Sequence, residues 1–230
     1  MRVYKIPDNL DYILAAGMVT IYCSAYVALM TRGQYKTGEK ILVLVLGATG
    51  GVGLAAIQIA KAKGATVIAG VSSAEKGELA KPSGADFAID VTVDNLRDGL
   101  RDQVYAVTDG CGVDIMLDPL GGNYFDAPIR AMAFAGRIIV IGFASGRIAE
   151  AKTIYFNVKN LTMAGMGLDM HYLNAPEIAE AAAVDIFNMV AKGQFNPEIT
   201  ATYDLEEFAT ALARFEDRSV TGKMVMTTGK

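Results

Sequence analysis

The chain has 230 residues, 52% of them apolar and 20% charged, with a formal net charge of −4 and a mean hydropathy of +0.31. That acidic balance, with lysine and arginine scattered, argues against a nucleic-acid partner, which selects a basic excess. Two cysteines and one histidine exclude a disulfide framework and a Cys/His zinc site within the chain, so no metal is expected and a reducing cytoplasm is the simplest home.

Tyr12 to Thr31 carries no charged residue and is long enough to cross a bilayer. It also holds Gly17, Cys23, Ser24 and several tyrosines and threonines, and acids rather than bases precede it (Asp8, Asp11). The expectation is a buried helix leading into the first strand, with no membrane span.

A strand–helix rhythm begins after Gly38. "KILVLVLG" (40–47) reads as a buried strand, "VGLAAIQIAKAKGA" as a helix stopped at Gly64, and "TVIAGV" as a second buried strand. "SAEKGELAK" reads as a helix capped by Ser73 and stopped before Pro82. "DFAID" is a short third strand. The next helix places Leu96, Leu100, Val104 and Val107 on one face. "GVDIMLDPLGG" gives a fourth strand, "YFDAPIRAMAFAG" a helix with an internal proline, "RIIVIGF" a fifth strand and "NLTMAGM" a sixth. Two helices, near 175–192 and 205–215, and a last strand in "GKMVMTT" complete the chain. Alternation of this kind predicts an α/β fold, a doubly wound parallel Rossmann sheet over 39–168, with a helical lead-in (1–38) and a helix–strand tail (169–230).

"ATGGVG" lies between the first strand and its helix, so Ala48, Gly50 and Gly53 fill the three glycine places of a dinucleotide fingerprint. Gly50 lets backbone approach a pyrophosphate, and Gly53 lets the helix pack closely on its strand. The amides of Gly51, Val52 and Gly53 open a helix, where free donors and the dipole favour anions. No P-loop lysine follows. At the end of the second strand, where an acid would hold an unphosphorylated ribose, the chain has Ser72 and Ser73, with Lys76 one turn on. That favours NADP(H) over NAD(H). The same serine can instead serve only as a helix cap.

With these motifs in order, the chain resembles the medium-chain dehydrogenase/reductases, and most of all their zinc-free, quinone oxidoreductase-like branch. The resemblance rests on "GEKILVLVLGATGGVGLAAIQIAKAKGATVIAGVSSAEK", "GVDIMLDPLGG", "GRIIVIGFASG", "SVTGKMVM" and the lead-in "YKIPDNLDYILAAGMVTIYCSAYVAL". It implies NADPH-dependent reduction of a quinone or an activated C=C bond. It assigns the pyrophosphate to Gly50–Gly53, the 2′-phosphate to Ser72, Ser73 and Lys76, and the nicotinamide wall to Gly142, Phe143 and Ala144. It places the Ser24 hydroxyl near the nicotinamide and Pro119 and Leu120 along the nucleotide, and it implies a homodimer through the sixth-strand edge.

Departures from the family pattern are specific. The family's separate barrel domain would already be ending at Met1, the first strand reads two residues longer than usual, Pro82 replaces a helix former, and Val91 replaces a tyrosine. A nucleotide-binding or dimerising module without turnover is therefore the alternative. Tyr155 and Lys159 form a Y-x-x-x-K pair, a catalytic spacing in short-chain dehydrogenases, but the glycine loop does not fit that family and a loop is expected there. His171 is expected in a loop at the surface, and Cys23 and Cys111 as incidental thiols.

Overall fold

In the computed structural model, residues 3–43, 48–216 and 222–229 are described. The long apolar stretch becomes α1 (Tyr12–Tyr26), opened by the Asp11 carboxylate, which accepts the Ile13 and Leu14 amides, and continued by a π-helical turn, Val27–Arg32. This 21-residue helix is the one among the described residues with the length and apolarity to cross a membrane, and 56% of its most apolar window is buried within the fold.

The strands are β1 (Lys40–Val43), β2 (Thr66–Val71), β3 (Phe87–Asp90), β4 (Val113–Asp118), β5 (Met132–Val140) and β6 (Thr162–Gly165). They form one parallel sheet in the order β3-β2-β1-β4-β5-β6. The order reverses between β1 and β4, which is where open α/β sheets leave a crevice at the carboxyl ends of their strands. The expected extension of the first strand, 44–47, lies outside the described residues, as do 217–221 of the tail.

The crossover helices α2 (Gly51–Ala62) and α3 (Ala74–Ala80) cover one face. There they share a core with α1, α7 (Leu168–Asn174) and α8 (Pro176–Ala191), built on Met18, Leu29, Ile57, Ile59 and Ile186. The other face is covered by α4 (Leu96–Val107), α5 (Asn123–Asp126) and α6 (Thr153–Lys159), packed around Leu100, Val104, Phe125 and Ile129. Ser73 caps α3 and the helix ends before Pro82, as the sequence leads one to expect.

Four expectations need correction. The helix drawn through Tyr124–Gly136 is a single turn, α5, then a 3-10 turn with Pro128 at its start, and β5 begins already at Met132. Pro128 has no N–H to continue α5. Residues 153–159 are helical rather than a loop, and so is His171, in α7. The tail also contains β7 (Ile199–Asp204), which pairs in parallel with β8 (Lys223–Thr227). This small sheet seats against α1, because a Cβ at Gly17 would lie 2.5 Å from Ile199 Cδ1 and 3.1 Å from Val225 Cγ2. α9 (Phe208–Glu216) lies between β7 and β8 in the chain.

Candidate nucleotide-binding site

Gly50 is the N-cap of α2, with extended backbone, and the first intrahelical bond runs from the Leu54 N–H to the Gly50 carbonyl at 2.9 Å. The amides of Gly51, Val52 and Gly53 therefore have no acceptor inside the helix, which is the donor set a phosphate needs. Ala48 and Thr49 are buried beneath the turn. A Cβ at Gly51 would sit 3.2 Å from Ile21 Cδ1 of α1, and the Gly222 N–H donates to the Thr49 carbonyl at 3.4 Å. The C-terminal tail thus borders the glycine turn, a neighbour that local sequence patterns give no means to find.

At the end of β2, Lys76 Nζ donates to Ser72 Oγ at 3.0 Å, while Ser73 Oγ accepts the Lys76 amide at 3.3 Å. Ser73 therefore is a helix cap. Lys76 has no carboxylate partner among the described residues, and its ammonium sits half-buried beside a hydroxyl. Val91 is buried, so the tyrosine it replaces has no polar substitute at that position.

The carboxyl ends of β4 and β5 are stitched together. Ile141 and Gly142 amides donate to the Asp118 carbonyl at 2.8 and 3.3 Å, Ala144 to Pro119 at 3.0 Å, and Ser145 to Leu120 at 3.1 Å. Two groups of candidates far apart in the chain, Pro119–Leu120 and Gly142–Ala144, thereby become one wall. The approach is close enough to demand glycine, since a Cβ at Gly121 (φ +68°) would lie 2.8 Å from the Arg147 carbonyl oxygen and 3.0 Å from Phe143 Cδ1. Phe143 itself stays 46% exposed.

Asp118, which no sequence motif singles out, organises this wall. It is fully buried at the end of β4, and its Oδ1 accepts the Leu120 and Gly121 amides at 2.9 and 2.8 Å. Its Oδ2 has no hydrogen-bond partner among the described residues. Burial pushes its pKa above the ordinary carboxylate value; the two amides oppose that, and Asp126 adds to it. The signal in the sequence is an acid ending an apolar strand, two residues before "LGG".

Ser24, the remaining candidate, lies in α1. It is buried there, and its hydroxyl donates to the Thr20 carbonyl at 2.8 Å. Behind it, Tyr22 donates to Gln58 Oε1 at 2.6 Å and Gln58 donates to the Asn196 carbonyl at 2.9 Å, tying α1, α2 and the tail together. Burial raises the Cys23 thiol to about 11, so it stays protonated at neutral pH. Lys159 of the Y-x-x-x-K pair donates to the Arg130 and Met132 carbonyls, both at 2.7 Å, and to the Tyr105 hydroxyl at 3.2 Å. Its ammonium is occupied in holding the chain between α5 and β5.

A glycine turn at a helix N-terminus, a serine–lysine pair at the second strand and a glycine-rich wall at the sheet's switch point define a dinucleotide-binding Rossmann domain. The model of the zinc-binding dehydrogenase family matches residues 51–185, more than half of the chain, and the chain belongs to that family. It is 30% identical over 227 residues to a quinone oxidoreductase-like protein 2 homolog of Nematostella vectensis, covering 98% of this chain and 60% of that protein. Among solved structures it superimposes on a mycobacterial protein complexed with NADPH (TM-score 0.85, 27% identity, 96% of this chain and 66% of the other). It superimposes equally on a 2-haloacrylate reductase (TM-score 0.86, 25% identity, 98% and 69%). The chain spans about three fifths of the length of the curated relative. The family's name refers to zinc; among the described residues no group of three or more His, Cys, Asp or Glu side chains converges.

Proposed function

We propose that this chain is the nucleotide-binding part of an NADPH-dependent reductase of quinones or activated C=C bonds. The observation that carries the cofactor is the pairing of free α2 amides at Gly51–Gly53 with the Ser72–Lys76 pair at the end of β2, where no acid stands to repel a 2′-phosphate. Bound NADPH would supply a hydride from its nicotinamide ring. The chain's own residues bind and orient: Gly50–Gly53 would take the pyrophosphate, Ser72, Ser73 and Lys76 the 2′-phosphate, Pro119 and Leu120 the path between, and Gly142–Ala144 the nicotinamide wall. The Ser24 hydroxyl would stand near the nicotinamide, its proton held by the Thr20 carbonyl and its oxygen still able to accept. Relatives named for quinones and for 2-haloacrylate support an electron-poor, conjugated substrate.

The reading extends to a metal-free protein of a reducing compartment, which suits free Cys23 and Cys111. It extends also to a homodimer joined along β6, the sheet's edge strand, whose Met163 is exposed and which lacks a protecting lysine or proline. A second reading, binding without turnover, is favoured by Phe143: a hydride-transfer site needs an opposing wall to hold substrate and exclude water, and this side chain faces solvent. The test is calorimetric titration of NADPH and NADH. NADPH should bind at least about tenfold tighter, the worth of a charge-assisted phosphate contact, and Lys76→Ala should narrow the gap. Equal affinities in the parent chain would overturn the NADPH assignment.

A further inference from the structure

We propose that a cavity of about 520 Å³ on the α4–α5–α6 side of the sheet is a second small-molecule site, built for an aromatic carboxylate. None of its lining residues is among those assigned to the nucleotide, and the inference does not rest on that assignment. The volume is in the range of small-molecule pockets, which are apolar with a few placed polar groups.

The body of the cavity is apolar. Phe125 and Ile129, both buried, form its floor, with Leu96, Ala127 and Ala151 around them. Tyr155 lines it as well, and its hydroxyl has no hydrogen-bond partner among the described residues. An aromatic wall and an unused donor are thus combined in the tyrosine that the Y-x-x-x-K spacing singled out and that the nucleotide site does not use.

The rim is cationic. Arg147 is neutralised by Asp126 and also donates to Asn123, both at 3.0 Å. That leaves Arg97 and Lys152 against Glu150, a local balance of one positive charge, and neither cation has a carboxylate partner among the described residues. Arg97 also stands where stability disfavours it, in the first turn of α4. Helix N-termini carry partial positive charge, so cations there are unfavourable unless an anion joins them. The net charge of the rim suits one carboxylate, and the apolar floor suits a flat ring.

The experiment titrates the full chain with 2-naphthoate and with neutral 2-naphthylmethanol by calorimetry. The carboxylate should bind one per chain and at least tenfold more tightly than the alcohol. Arg97→Ala with Lys152→Ala should remove that tenfold preference. Ala151→Trp, which fills the cavity from a half-buried position, should abolish binding while leaving thermal unfolding unchanged. Saturating NADPH should displace nothing. Absence of binding at millimolar carboxylate, equal affinity for alcohol and carboxylate, parent-like binding by the double variant, or displacement by NADPH would each overturn the proposal. If Ala151→Trp fails to fold, the double variant decides alone.

Discussion

Replacing Asp118 tests how the nucleotide wall is held. Asp118→Ala removes the acceptor of two buried amides, Leu120 and Gly121. Each buried donor left without a partner costs about 1–3 kcal/mol, so the variant should lose about 2–6 kcal/mol, out of the roughly 5–15 kcal/mol typical of a whole domain. Asp118→Asn keeps Oδ1 as acceptor and removes a charge whose burial is unfavourable, so it should lose less than about 1 kcal/mol at neutral pH. Denaturant midpoints for the three proteins give the comparison, with unchanged slopes showing that the folded state is preserved. The pH dependence has a definite sign. Burial raises the Asp118 pKa above its ordinary 3.8, so between that value and the raised one the folded chain holds more protons than the unfolded chain. Stability contributed by this group is present below 3.8 and falls as pH rises through the window, because the unfolded state has already given up its proton. The parent should therefore lose ground to Asp118→Asn as pH rises from about 4. Equal losses for the alanine and asparagine variants, or a parent–asparagine difference that does not change with pH, would refute this account of the wall.

Four further outcomes are expected. Native chain should take up one equivalent of a thiol-alkylating reagent at neutral pH, at exposed Cys111, and a second only after unfolding, because Cys23 is buried and its thiol pKa is raised to about 11; two fast equivalents in the native state would contradict the packing of α1. Light scattering should give a dimer for the parent and a monomer for Met163→Lys, and a monomeric parent would remove the β6-edge proposal. Elemental analysis should find no stoichiometric zinc, and one zinc per chain would overturn the metal-free reading. NADPH oxidation with a panel of quinones and enones should be far below ordinary turnover of about 1–1000 per second, and rates in that range would show that a complete active site is already present.

Regular alternation made the sheet legible. Buried parallel strands are continuous apolar runs, and Gly64, Ser73 and Pro82 mark the joints between elements. The glycine turn was legible because its chemistry is local: three amides at one helix start. What local patterns hid was long-range or weakly patterned. β7 is half-exposed and alternates only against α1, and α5 was hidden by an apolar run that continues into β5. Asp118 resembled any strand-end acid until its two amide donors were placed. The hydroxyl assigned from resemblance at Ser24 found an acceptor within its own helix, a local competition that sequence spacing does not register. The Tyr155–Lys159 pair looked catalytic by spacing alone; in the fold the lysine binds carbonyls and the tyrosine faces a cavity.

The most direct test of the central claim is to map NADPH on the chain by backbone amide chemical shifts. Saturating NADPH should shift Gly51, Val52 and Gly53 at the start of α2, Ser72 and Lys76 at the end of β2, and Leu120, Gly142 and Phe143 along the wall. Amides around Arg97 and Lys152 should stay in place. Shifts confined to the cavity side of the sheet, or none at millimolar NADPH, would contradict that claim.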